Sequence, residues 1–375
     1  MDKKLGFGYM RLPLLDAKDQ TSFDSETLNK MVDTFLERGF TYFDTAYVYH
    51  AFQSEVAMRE SLVKRHKRED FTVATKLPPR IVKQASDQEE IFNEQLEKLG
   101  VDYIDYYLVH NIGVSSYKQA CQFDTFGFVA EKKKQGKVKF MGMSFHDAPE
   151  LLEKVLSEHP ELDFVQLQIN YIDWDNPNIQ SRKCYEIARA HNLPIMVMEP
   201  VKGGVLAKVP PKAEELMKTY NPDASISSWA VRFAASLPGV KVVLSGMSTY
   251  EQLLDNTYYM GHFMPLNDEE YKIIDKVVDI INEEKAIACT MCRYCEEGCP
   301  ENIAIPDYFS LYNSAKRGVS SQFVYYLNIA ENRGKASDCV ECGQCETACP
   351  QHIEIIKHLK DVSAQFDKAA LPSRK

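Results

Sequence analysis

Eight of the ten cysteines fall into two runs of identical spacing, Cys289-x2-Cys292-x2-Cys295-x3-Cys299-Pro300 and Cys339-x2-Cys342-x2-Cys345-x3-Cys349-Pro350. Thiols packed this closely point to a bound inorganic centre or to disulfides. Structural zinc is held by paired C-x2-C ligands, not by triplets followed by a fourth cysteine and a proline. Disulfides belong to oxidising compartments, and the stretch Met1 to Met10 is too short and broken for a secretory signal. The spacing therefore fits a cubane iron–sulfur centre, with three thiolates wrapping one corner. The proline after each fourth cysteine starts the departing segment without needing an amide hydrogen. Cys121 and Cys184 stand alone on expected helices and read as small buried apolar side chains.

Each run resembles the ligand set of bacterial two-cluster ferredoxins, where the fourth cysteine of each run serves the other cluster. The resemblance implies two [4Fe–4S] clusters. Cys289, Cys292, Cys295 and Cys349 would hold one; Cys339, Cys342, Cys345 and Cys299 would hold the other. The gap between the runs carries helical signals, with Pro306-Asp307-Tyr308 opening one apolar-periodic stretch and Val319 to Ala330 forming another. From about Ala286 to Leu359 the chain resembles the helical dicluster ferredoxins of respiratory-enzyme iron–sulfur subunits.

The first 265 residues read differently. Short β-rich runs (Thr41–Asp44, Thr72–Lys76, Ile104–His110, Phe140–Ser144, Phe164–Asn170, Ile195–Glu199, Val240–Ser245, with a first near Leu5–Tyr9) alternate with helical ones. The helical stretches are Ser25–Arg38, Ser54–Arg65, Gln88–Leu99, Ala120–Gln135, Ala148–His159, Asn178–His191, Ser225–Ala235 and Thr249–Tyr259. Strict alternation implies a parallel sheet with helices outside. This many units over such a length suit a (β/α)8 TIM barrel. The expected organisation is an α/β barrel over residues 1–265, a connecting helix over 266–285 (Asn267–Glu284) and a mainly α-helical dicluster domain over 286–375. A formal charge of −10 gives no basic field for nucleic acid. No apolar run approaches the roughly 20 residues of a membrane span, so a cytoplasmic protein is expected. The basic runs Arg65–Arg68 and Lys132–Lys134 read as solvated helix ends.

Chemistry in such barrels sits at the C-terminal strand ends. Asp44, Lys76, His110 and Ser144 lie there, with Tyr49 on the loop after Asp44. At these residues the chain resembles the aldo-keto reductase superfamily, in the subfamily fused to a C-terminal ferredoxin-like domain. The likeness is carried by Asp44-Thr-Ala-Tyr-Val-Tyr49, Ala74-Thr-Lys76-Leu, Asp105-Tyr-Tyr-Leu-Val-His110, Gly142-Met-Ser144-Phe, Gln166-Leu-Gln168-Ile-Asn170, Glu199-Pro-Val-Lys-Gly-Gly204 and Ser245-Gly-Met through Asn256. It implies Tyr49 as general acid, Lys76 lowering its pKa, Asp44 holding Lys76, and His110 donating to the same carbonyl oxygen.

The resemblance also implies a nicotinamide dinucleotide, NAD or NADP, against Gly8, Tyr9, Met10, Ser144, Gln168, Met198, Pro200, Gly203, Gly204, Ser245, Gly246, Gln252 and Asn256. The pattern departs in four places, one of them the absence of a family lysine near Gly246. Phe145 stands where the family has asparagine, Met198 where an aromatic ring stacks on nicotinamide, and Gln252 where a basic residue grips the 2′-phosphate. Glutamine cannot make the charged fork of arginine. Lys202 reads as a solvated loop lysine.

The expected protein is an iron–sulfur oxidoreductase acting on a small carbonyl or alcohol, with a ferredoxin- or flavodoxin-type carrier as partner. Clusters move single electrons whereas hydride carries two. Two alternatives therefore stay open: single-electron chemistry at the barrel site, and an electron-transfer or interaction module with a degenerate barrel.

Overall fold

The computed structural model describes residues 3–176, 179–283, 286–289, 291–319, 321–349 and 351–368. Strands β1 Leu5–Gly8, β2 Tyr42–Asp44, β3 Thr72–Leu77, β4 Ile104–Ile112, β5 Val138–Phe145, β6 Phe164–Gln168, β7 Ile195–Met198 and β8 Val240–Gly246 pair in sequence order, all parallel. Strand β1 closes the ring on β8, Leu5 opposite Val243. The alternation is thus a closed barrel. Its helices are α1 Ser25–Glu37, α2 Ser54–Met58, α3 Ser86–Leu99, α4 Val114–Gln122, α5 Thr125–Lys134, α6 Pro149–Glu158, α7 Ser181–Ala190, α8 Pro211–Tyr220, α9 Ile226–Ser236 and α10 Tyr250–Gly261. Helix α1 shows the local logic. Asp24 caps it by accepting from the Thr27 N–H at 3.1 Å. Leu28, Met31, Val32 and Phe35 recur at helical spacing and are buried.

Side chains alternate across a strand. Even-numbered residues therefore share the inner face: Tyr42, Ala74, Leu108, Phe164, Met196, Met198, Val242 and Leu244 form one buried cluster inside the ring. A Cβ at Gly142 would lie 2.6 Å from the Phe164 ring, so glycine there makes room for the side chain that fills the barrel. The same parity brings Asp44, Lys76, His110, Ser144 and Gln168 to the inner face at the strands' C-terminal ends.

Several expected boundaries shift. The helix expected over Ala120–Gln135 is two helices, broken where Asp124 adopts φ 50°. The helix from Ser54 passes after Met58 into a wide π turn, Arg59–Val63. Strand β6 ends at Gln168, short of the expected Asn170, whose side chain bonds Asp173 and the Glu199 carbonyl. Asn178, the expected start of a helix, lies outside the described residues. Cys184 is buried as expected, but Cys121, at the solvent-facing end of α4, is exposed. The basic runs are tied down: Arg65 to Asp33, Arg68 to Asp105, Lys132 to Glu89 and Lys133 to Asp163.

The chain forms two compact units. The first runs to Val201 and includes Asp223–Glu270; the second joins Lys202–Pro222 to the residues from Tyr271 onward. The second is helical, with α11 Asp268–Glu283 leading into it and then α12 Ile305–Lys316, α13 Gln322–Ala330, α14 Gln344–Ala348 and α15 Ile355–Phe366. Its core sets Tyr308 tilted against Tyr326 at 4.5 Å between ring centroids and stacks Tyr326 on Phe366 at 5.1 Å. The expected connecting helix is α11; Glu284 lies outside the described residues. Lys202–Pro222, expected within the barrel, belongs instead to this second unit. The β7–α9 connection is long enough to carry its own helix, α8, and its Val205, Lys208, Val209 and Pro210 share a cavity of about 270 Å³ with Ile281 and Arg317. Among the described residues, no helix is long and apolar enough to cross a membrane.

Candidate active site and cysteine centres

Strands β2, β3 and β4 deliver Asp44, Lys76 and His110 to one rim, and the turn after β2 adds Tyr49. Lys76 is 0% exposed. Its Nζ donates to Asp44 Oδ1 at 2.6 Å and to the Thr45 carbonyl at 2.5 Å. It also lies 4.9 Å from the centre of the half-buried Tyr49 ring and shares a hydrogen bond with that side chain. The His110 ring meets Tyr49 edge-on, 5.8 Å between centroids. The four residues singled out by sequence are therefore one cluster.

Burial by itself would strip the Lys76 proton, but the Asp44 charge and the contact with Tyr49 carry its pKa above the ordinary value. The ammonium is firmly charged. Burial also raises the Tyr49 phenol above its usual range, and the pull of Lys76 does not cancel this; Asp44 and Glu199 push the same way as burial. Lys76 pulls the value down, as expected, but desolvation outweighs it, and the phenol keeps its proton at neutral pH. Burial, with the charges of Lys76 and His146, holds His110 well below the ordinary imidazole value, so it is neutral. Burial, Lys76 and Arg80 likewise bring His146 down to about 4.

The residues expected beside a dinucleotide take varied places. Ser144 Oγ accepts from the Asn111 N–H at 2.8 Å, and Gln168 Nε2 donates to Asp173 at 2.8 Å. Asn256 Nδ2 donates to Ser245 Oγ at 2.7 Å, making a buried pair. Gly8 pairs with Gly246 across β1 and β8. A Cβ at Gly246 would meet the Arg11 side chain at 3.1 Å. Tyr9 is buried with its hydroxyl 2.9 Å from Ser61 Oγ, so its ring serves the core, while Met10 is exposed. Met198 packs in the inner barrel cluster. Pro200 is buried beside it, and Gln252 is exposed, its carbonyl accepting from the Ser248 N–H at 2.8 Å. Gly203 and Gly204, with φ 66° and 99°, belong to the second unit. Lys202, read as solvated, is buried; its φ of 49° turns it away from an ordinary loop course.

Three further residues stand near the rim beyond those expected in the site. Glu199, left-handed at φ 55°, faces Arg11 at 3.7 Å. Asn111, left-handed at φ 56°, is bonded to Ser144. Asp173 gathers the amides of Gln168 and Asn170. The one available signal was position, since each lies within a few residues of a strand's C-terminal end.

In the second unit, Cys289, Cys292, Cys295 and Cys349 line one small cavity with Ile305, Phe309 and Ile355. Cys299, Cys339, Cys342 and Cys345 line another with Pro300, Ile303 and Ile356. Each therefore draws three sulfurs from one run and one from the other. Met291 and Ile303 amides point to the Cys289 and Cys299 sulfurs at 3.5 and 3.4 Å. The backbone turns left-handed at Met291, Arg293 and Asn302, and again at Glu341, Gly343 and His352, the equivalent positions of the second run. Both loops thus wrap the same way. Four thiols in an apolar pocket with amides aimed at sulfur fit a cubane cluster. Pro350 lies outside the described residues.

A profile described as "Aldo/keto reductase family" matches residues 4–279, and one described as "4Fe-4S dicluster domain" matches 288–354. An aldo-keto reductase of Strobilurus tenacellus is 30% identical over 213 residues, 54% of this chain and 59% of that protein. The 9,11-endoperoxide prostaglandin H2 reductase of Trypanosoma cruzi is 26% identical over 290 residues, 74% of this chain and 90% of that protein. The NADH-specific methylglyoxal reductase of Escherichia coli is 27% identical over 195 residues; the match spans 47% of this chain and 57% of that protein. The solved aldo-keto reductase of Bacillus halodurans in its holo form superposes with a TM-score of 0.59 at 22% identity, over 73% of this chain and 91% of that one.

Proposed function

The chain belongs to the aldo/keto reductase family and carries a 4Fe–4S dicluster domain, and from that premise we propose that it reduces a small carbonyl compound, or oxidises the matching alcohol, at Asp44, Tyr49, Lys76 and His110. One observation carries the reading: the Tyr49 ring lies 4.9 Å from the buried Lys76 ammonium, which Asp44 holds at 2.6 Å, and meets the His110 ring edge-on at 5.8 Å. Tyr49 gives its proton to the carbonyl oxygen as negative charge develops there. Lys76 stabilises the tyrosinate left behind, and Asp44 fixes Lys76 and keeps it charged. Neutral His110 donates a second hydrogen bond to the same oxygen and orients the substrate. The methylglyoxal reductase among the relatives supports a small carbonyl substrate.

A nicotinamide dinucleotide would supply hydride, with Ser144, Gln168, Ser245 and Asn256 to hold it. Uncharged Gln252 favours NAD over NADP, since a 2′-phosphate gains no charged fork from it. The eight cysteines would hold two clusters that pass single electrons, with a ferredoxin- or flavodoxin-type carrier as partner.

Tyr49→Phe tests the assignment. It is expected to lower kcat for carbonyl reduction by at least about 10²-fold, with iron content and cluster absorbance unchanged. Undiminished turnover would remove Tyr49 as the proton donor.

A further inference from the structure

Asp44 and Lys76 face into the barrel, so the residues next to them, Thr45 and Thr75, are directed the other way. Both grip the start of one helix. Thr45 Oγ1 is 2.8 Å from Ser54 Oγ, and Thr75 Oγ1 donates to Glu55 Oε1 at 2.6 Å. Ser54 and Glu55 are the first two residues of α2, five and six positions after Tyr49. The Ser54 N–H donates to the Tyr49 carbonyl at 3.3 Å, and Ser54 Oγ donates to the Tyr9 carbonyl at 3.0 Å. Glu55 Oε1 accepts a second bond, from Gln95 Nε2 at 2.6 Å. Gln95 reaches the Lys76 carbonyl at 3.2 Å and accepts from the Tyr107 hydroxyl at 2.7 Å. Thr45, Ser54, Glu55, Thr75 and Gln95 are all 0% exposed.

The link between Tyr49 and this anchor is strained. His50, Ala51 and Phe52 are all left-handed, at φ 49°, 50° and 70°. Each such non-glycine residue costs on the order of 1 kcal/mol. The run persists because both ends are held. On one side the His50 ring bonds the Gln20 carbonyl at 2.8 Å and receives the Leu12 N–H at 3.5 Å. On the other side stands the Ser54–Glu55 anchor.

We propose that Ser54 and Glu55 are positioning residues, which register the Tyr49 hydroxyl against Lys76 by clamping the start of α2 to the outward neighbours of Asp44 and Lys76. The proposal rests on the catalytic reading of Tyr49 given above. Desolvation carries the Glu55 carboxyl up to about 7; bonds from Thr75 and Gln95 and the charge of Lys98 oppose this, and Glu94 adds to it. The clamp is therefore neutral on the acid side of that value.

The test compares Glu55→Leu, which removes the acceptor, with Glu55→Gln, which keeps a carbonyl for Thr75 and Gln95. Glu55→Leu is expected to lower kcat on the order of 10–100-fold with little change in KM, as misplacement of a reacting group does. Glu55→Gln is expected to restore kcat to within about threefold. A second readout does not depend on turnover. The ultraviolet titration of Tyr49, taken as the difference from Tyr49→Phe in the same background, is expected to move up by about half a pH unit or more in Glu55→Leu, because Lys76 no longer sits in register. Thr75→Val removes one bond of the same clamp and serves if Glu55→Leu does not fold. Lower thermal stability with kcat and the Tyr49 titration both unmoved would overturn the proposal. Full turnover by Tyr49→Phe would sink the catalytic reading alone; the titration shift would still decide the registration.

Discussion

Lys76→Met is expected to lower carbonyl reduction by about 10²–10³-fold and to destabilise the barrel unit by roughly 3 kcal/mol at pH 8. The two losses have different causes. Activity falls because no ammonium stabilises the tyrosinate formed when Tyr49 gives up its proton. Stability falls because Asp44, 3% exposed, loses its partner, the Lys76 ammonium at 2.6 Å.

The sign of the pH dependence follows from burial. In wild type, desolvation already raises the Asp44 pKa against the pull of Lys76. Without Lys76 it rises further, so the folded chain binds a proton more tightly than the unfolded one. The stabilising effect of that proton is full below the unfolded value near 4 and is lost as pH rises through the folded value. Lys76→Met should therefore look mild in denaturant titrations at pH 5 and worst at pH 8. The double variant Lys76→Met/Asp44→Asn should regain most of the stability and lose the pH dependence while staying inactive. A loss of stability that does not change between pH 5 and 8 would contradict this.

Cys349→Ser is expected to halve the iron content, from about eight atoms per chain to about four. The cluster lost is that of the first run, because Cys349 shares a cavity with Cys289, Cys292 and Cys295. Pairwise removal separates crossed from uncrossed ligation. Cys289→Ser/Cys349→Ser should lose no more iron than either single variant. Cys289→Ser/Cys299→Ser should lose both clusters, since Cys299 belongs to the other cavity. Uncrossed ligation predicts the reverse: two clusters lost in the first double variant and one in the second. Iron analysis with Mössbauer spectroscopy on anaerobically purified protein reads the difference.

Much of this architecture is written in local patterns. Asp44, Lys76, His110 and Ser144 could be placed on one rim because strand parity and strand ends are short-range properties. The cysteines declare themselves because cluster ligation demands fixed spacing. What stayed hidden depends on contacts between distant residues. Nothing near Glu55 announces that it meets Thr75 and Gln95, 20 and 40 positions away. The net direction of the Tyr49 pKa is a balance between burial and Lys76, and burial is a property of the folded chain. The break at Asp124 sits in a stretch whose apolar spacing runs on without a gap. The attachment of Lys202–Pro222 to the second unit likewise follows from packing, not from pattern.

Anaerobic titration of the intact protein with NADH and with NADPH identifies the electron source for the Tyr49 site. Binding is read by nicotinamide fluorescence and cluster reduction by absorbance near about 400 nm. NADH is expected to bind more tightly than NADPH, because Gln252 offers the 2′-phosphate no charge, and to bleach the clusters. If neither dinucleotide binds, and only a reduced ferredoxin or flavodoxin bleaches the clusters, hydride reduction at the Tyr49 site is contradicted.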